Sequence, residues 1–293
     1  MPEDLSPISN GRIIGNFVTS SSKPAALDEK TKQLPTIASY VRDNHRSVED
    51  TLFQSLKGAR FILVGESHLP IAMGSVVGSS LKRLNKEIKD KGENLIIALE
   101  LASTKQKELD NLDYNLSEAE LMKQIDTGLG TKKVLIAAKK EKVQVIYVDL
   151  PKDRSRSIGA VLSDIDNISL LNTRDQAMFD SISKNAEGKN KILFYGGSRH
   201  CSKTKIAEGN ELHITLGSRL AERYGENSVI SFRSTNYSLG LDNLSNTSTK
   251  MPTVDTFMHN DRVIVIPDGG EIQSKVGSYN FIIIDSTPNP YKK

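Results

Sequence analysis

Apolar residues enter this chain in short unbroken bursts, separated by stretches in which they recur every three or four positions. ARFILVG (59–65), NLIIALEL (94–101), VQVIYVDL (143–150), KILFYGG (191–197) and SVISFRS (228–234) are the bursts, with β-branched and aromatic members. A continuous burst of that length suits a strand covered on both faces. Helical spacing fills the intervals: 37–58, which closes on Lys57-Gly58; 71–91; 117–126; 131–142; 172–185; and 216–225, stopped by Gly225. The segment SEAELMKQID opens with Ser117 and Glu120, the residue pair of a capping box. Strands alternating with helices predict an α/β protein, a three-layer α/β/α arrangement with a largely parallel central sheet. The last two bursts, 262–268 and 279–286, read as an antiparallel pair at a sheet edge. Residues 1–34, rich in Ser, Pro, Lys and Asn, read as a flexible tail, and 236–256 as a polar surface loop. That leaves 35–293 as a single domain.

Composition works mainly by exclusion. Lys and Arg number 39 against 36 Asp and Glu, a net charge of +3 on 293 residues. So small an excess argues against a nucleic-acid partner or an anionic membrane surface. No run reaches the ~18 apolar residues of a membrane span. The N-terminus lacks the basic start and apolar stretch of a secretory signal, which predicts a cytoplasmic protein or one exported by a route without a cleavable Sec signal. Cys201 is the one cysteine, so no intrachain disulfide forms.

The chemistry collects at the strand ends. In a parallel sheet all C-terminal ends share one edge, and ligands of open α/β proteins bind there. The first strand ends Gly65-Glu66-Ser67-His68, the second Ala98-Leu99-Glu100, the third Val148-Asp149-Leu150, and the fourth Gly197-Ser198-Arg199-His200. Two histidines, two glutamates and an aspartate therefore reach one rim. Glu66 and His68 are two apart and share a side if the chain stays extended. Glu100 sits among Ile96, Ile97, Ala98, Leu99 and Leu101, where a carboxylate is costly unless it is paired, hydrogen-bonded or bound to a metal. Asp149 reads equally well as a turn former or helix cap. Arg174-Asp175 reads as a charge pair near a helix start. A helix leading into the fourth strand is expected to begin at the opposite edge unless packed obliquely, which leaves Arg199 as the alternative cation. Cys201 adjoins His200, but neighbours on an extended chain point apart, so a thiol nucleophile is disfavoured. His45, His213 and His259 read as helix-face or loop residues and are assigned no role.

GESH (65–68), the glutamate in LIIALEL, the Arg-Asp-x-x-Met segment TRDQAMFDSI (173–182), GGSRH (196–200) and LGSRLAERYGENSVISF (216–232) form an ordered series. The series resembles the superfamily of erythromycin esterases, haem-binding ChaN-like lipoproteins, TIKI metalloproteases and a domain of large bacterial toxins. It spans about 59–286. The esterase-like branch implies His68 as general base, Glu66 and Glu100 as its support, and His200 and Arg174 as substrate or transition-state contacts. The metalloprotease-like branch implies a divalent metal (zinc, manganese or cobalt) on His68, His200 and Glu66 or Glu100. The haem-binding branch uses a tyrosine for which this sequence offers no counterpart. The leading expectation is a hydrolase of an ester or amide bond acting on a small-molecule or peptide substrate. The alternative is a non-enzymatic ligand- or haem-binding domain, or a toxin or effector module.

Overall fold

A computed structural model describes residues 43–66, 71–151, 167–236, 263–267 and 279–285. The apolar bursts form strands β1 (Phe61–Glu66), β2 (Asn94–Ala102), β3 (Gln144–Asp149), β4 (Asn190–Gly197) and β7 (Val229–Asn236). The closing pair gives β8 (Val263–Pro267) and β9 (Phe281–Asp285), and a small hairpin adds β5 (Ile206–Glu208) and β6 (Glu211–His213). Seven strands make one sheet in the order β3-β2-β4-β1-β7-β9-β8. All neighbours are parallel except β8, which runs antiparallel to β9 at the margin.

Seven helices are described: α1 (Val48–Gly58), α2 (Ile71–Asp90), α3 (Gln106–Asp110), α4 (Glu118–Gln124), α5 (Leu129–Lys140), α6 (Ile168–Asn185) and α7 (Leu216–Tyr224). Side chains alternate across a strand, so each burst feeds two cores. Ile62, Val64, Ile97, Leu99, Leu193 and Tyr195 pack under α1, α2 and α5. Phe61, Leu63, Ile96, Ala98, Ile192 and Phe194 pack under α6 and α7. The result is the three-layer α/β/α arrangement expected from the pattern. Among the described residues no helix is long and apolar enough to cross a membrane.

Local chemistry sets the boundaries. Ser117 and Glu120 close the capping box at α4, and Gly225, at φ 90°, ends α7. The Asn167 side chain accepts from the Leu170 amide, so α6 starts four residues ahead of the expected Asn172. The helix expected over 37–58 is broken within its described part. Arg46 pairs through its backbone with Val265, and Ser47 then caps a new helix by accepting from the Asp50 amide. The 1–34 tail and most of the 236–256 loop lie outside the described residues.

The two margins of the sheet are both engaged. On β3 the Gln106 side-chain amide imitates a neighbouring strand: Oε1 accepts from the Tyr147 amide at 3.2 Å, and Nε2 donates to the Val145 carbonyl at 3.4 Å. On β8 the Arg46 amide donates to the Val265 carbonyl at 2.8 Å, and the Val265 amide returns a bond of 3.0 Å.

One topological expectation is corrected. A helix joining parallel strands leaves the C-terminal end of the first and runs back to the start of the next. The N-terminal end of α6 therefore lies at the same rim as the strand ends, where Arg174 can reach them.

Candidate active site

The site begins with a close approach of backbones. β2 and β4 lie side by side, and Gly196 leaves room above Glu100: a Cβ there would stand 2.7 Å from Glu100 Cβ and 2.6 Å from Phe194 Cζ. Glu100 Oε2 then accepts the Gly197 amide. Gly196→Ala is expected to push the Glu100 side chain off this amide at a cost of about 1–3 kcal/mol, the range for overpacking a tight site. A urea titration checks it; an unchanged midpoint would show that the neighbouring side chains yield freely.

Arg174 is the hinge of the cluster. Its Nε donates to Asp149 Oδ1 at 3.0 Å, and Nη2 donates to Asp149 Oδ2 at 2.8 Å and to Glu100 Oε1 at 2.5 Å. Asp149 is buried and also accepts the Leu150 amide at 2.8 Å. It thus forms its own turn and holds the arginine as well. Burial alone would lower the Arg174 pKa; the Asp149 and Glu100 carboxylates outweigh it and raise the pKa instead.

Asp175, the next residue, points elsewhere, because consecutive helical side chains diverge by about 100°. The local Arg174-Asp175 pair read from the sequence is not formed. The Asp175 side chain is fully buried and takes three donors. His200 Nδ1 lies 2.9 Å from both of its oxygens, His213 Nε2 lies 2.7 Å from Oδ2, and the Leu216 amide donates to Oδ1 at 2.7 Å. The other His200 nitrogen, Nε2, stands 3.4 Å from Glu100 Oε1. Burial opposes charge on His200, but carboxylates at both nitrogens prevail and lift its pKa to about 10. Burial would likewise raise Asp175, and the two imidazoles hold it below the usual carboxylate range.

Glu100, Arg174 and His200 therefore converge on the α6 side of the sheet. Glu66 is placed differently. It is buried on the face of Val64 and Tyr195, where the Tyr195 hydroxyl donates to Oε2 at 2.6 Å. His68 and His259 lie outside the described residues. Arg199 pairs with Glu208 of β5. Cys201 is buried with Sγ 3.8 Å from the Gly197 carbonyl, and burial followed by the Glu100, Asp175 and Glu66 charges drives its thiol pKa well up, which suits packing rather than nucleophilic attack.

Two members of the cluster escaped the sequence reading. Asp175 was visible only as half of a charge pair. His213 was set aside as a loop residue and is instead fully buried against Asp175. Its three-residue strand is too short to carry a period; the only hint was its apolar flank, Leu212 and Ile214, just ahead of the helix-capping Thr215.

Of the metalloprotease-like ligand set, His200 and Glu100 stand 3.4 Å apart, Glu66 faces Tyr195 across the sheet, and His68 lies outside the described residues. The ligand atoms that do gather belong to Asp175, His200 and His213, all within 4.8 Å of one another. Hydrogen bonds already join them. An open groove of about 710 Å³, lined by Asn172, Gln176, Leu212 and Arg219 among others, runs along the outside of α6 and contains none of the cluster.

No protein-family model matches the chain, and no curated protein matches it in sequence. Solved structures do. A succinoglycan biosynthesis protein aligns with a TM-score of 0.53 at 10% identity, over 86% of this chain and 96% of that one. An erythromycin esterase in its open conformation gives 0.49 at 13% identity, over 80% and 92%. The haem-binding ChaN of Campylobacter jejuni gives 0.48 at 16% identity, over 81% and 92%. The chain thus has the fold of the succinoglycan biosynthesis protein.

Proposed function

We propose that this protein is a hydrolase of an ester or amide bond, working at the C-terminal rim of the sheet. The observation that supports this reading is the Glu100–His200–Arg174 constellation, a buried acid–base pair beside an arginine whose side chain is 21% exposed. In this reading His68, two residues beyond Glu66, takes the proton from the attacking water, and Glu66 and Glu100 support the imidazolium that forms. His200, held between Asp175 and Glu100, fixes the Glu100 carboxylate at the rim. Arg174 spends Nε and Nη2 on carboxylates, and Nη1 makes no hydrogen bond among the described residues, so it is the donor left for an oxyanion. General acid–base groups of this kind contribute ~10²–10⁴-fold each. No step requires a metal, and a zinc-, manganese- or cobalt-dependent variant of the same reading is separated from it by chelator sensitivity.

The test is hydrolysis of a panel of aryl esters and peptide amides by the full chain, with His68→Ala and His200→Ala compared at matched folding by circular dichroism. Each variant is expected to lose ~10²–10⁴-fold in kcat/KM. Turnover unchanged in both would defeat the assignment.

A further inference from the structure

Asp175 joins two imidazoles, and only one of them faces the rim. We infer that Asp175 and His213 are positioning residues: a buried His213–Asp175–His200 relay locks the His200 ring with Nδ1–H on Asp175 and Nε2–H directed at Glu100. The inference rests on the hydrolase reading for its purpose but not for its geometry.

A carboxylate with no solvent exposure must find donors inside the protein. Asp175 finds them on three elements, in His200 beyond β4, His213 at the end of β6 and the Leu216 amide in the first turn of α7. The helix start adds its own partial positive charge. For both rings to donate to Asp175, their protonation is fixed. His213 must carry hydrogen on Nε2. Its Nδ1 is buried and has no hydrogen-bond partner among the described residues. A second proton there would leave a buried N–H without an acceptor among the described residues. His200 meets a carboxylate at each nitrogen, so it holds both protons. The groups facing His200 are Asp175 from α6, Glu100 from β2 and the His213 ring from β6, whose centroid lies 6.2 Å away. Cys201 adjoins it with its thiol protonated.

The hairpin is fastened so that His213 cannot drift. Asn172, one turn before Asp175 on α6, brackets it on both sides: Nδ2 donates to the Leu212 carbonyl at 3.0 Å, and Oδ1 accepts the Ile214 amide at 2.6 Å. The Thr215 hydroxyl donates to the Ser202 carbonyl at 2.6 Å, tying the start of α7 to the turn after His200. Such support behind a reacting imidazole fixes both its tautomer and its aim.

The same three ligand atoms could instead enclose a cation, and one experiment separates the two. The full chain, labelled with ¹⁵N-histidine, is examined by long-range ¹H–¹⁵N NMR at pH 7 with its metal content measured on the same sample. Expected are a doubly protonated His200 and a neutral His213 bearing hydrogen on Nε2, with no stoichiometric metal. In Asp175→Asn, if it folds, the His200 midpoint is expected to fall by at least about one pH unit. In His213→Asn, kcat is expected to fall at least tenfold with KM little changed. A neutral His200 in the wild-type chain, or one equivalent of zinc that disappears in His213→Ala, would overturn the relay. The spectroscopic result stands without any substrate, so a failed hydrolase reading and a failed relay are told apart.

Discussion

Arg174→Ala is expected to lower the unfolding free energy by ~3–5 kcal/mol, the cost of leaving a buried ion pair without one partner. The Asp149 side chain is 1% exposed and that of Glu100 is 11%, and one guanidinium answers both. Without it, the Leu150 amide stays on Asp149, and the Gly197 amide and His200 stay on Glu100, so Asp149 is left with no charged partner among the described residues. Arg174→Lys keeps the charge but loses the two-pronged contact with Asp149, so an intermediate loss is expected. The double variant Arg174→Met with Asp149→Asn should recover part of the deficit, because the orphaned charge goes with its partner. Urea midpoints for the four proteins decide it. An Arg174→Ala midpoint equal to wild type would show that water reaches the carboxylates and that the pairing contributes nothing.

The second large effect is a dependence of stability on pH set by the relay. His200 has its folded pKa raised from 6.5 to about 10, so the stability it contributes is complete below about pH 6.5 and is lost as pH rises through about 10. Asp175 is shifted down, so its contribution is complete above about pH 4 and is lost as pH falls. Each pH unit of separation corresponds to ~1.4 kcal/mol, and a few kcal/mol should therefore disappear between pH 7 and 10. Unfolding measured at pH 5.5, 7, 8.5 and 10 should show a falling limb that is flattened in His200→Gln. A wild-type curve level from pH 6 to 10 would refute the imidazolium.

The sequence was most informative where a strand is buried on both faces. Bursts such as FILV and KILFY admit one reading, and once five are parallel their ends must share an edge. Glu100 was legible for a related reason: a carboxylate inside LIIALEL has to be answered by something. What answers it was not legible. Arg174 lies 74 positions away on a helix whose direction was misjudged, and the correction follows from connectivity alone. His213 was hidden because the hairpin that carries it has no apolar stripe to announce it and is held by side-chain bonds from Asn172. Glu66 shows the converse. Proximity along the rim was predicted, but the alternation of the strand sends its carboxylate to Tyr195, across the sheet from His200. Shared edge and shared face are separate conditions, and the spacing of motifs speaks only to the first.

Gln106 and Arg46 carry a last implication. By occupying peptide groups on the outermost strands, they deny a docking rail to any incoming extended peptide. A substrate polypeptide or a second copy would then have to be recognised by its side chains and shape, and not by backbone zippering. Substituting Gln106 with a residue that lacks an amide would lay bare the Val145 carbonyl and the Tyr147 amide to such pairing.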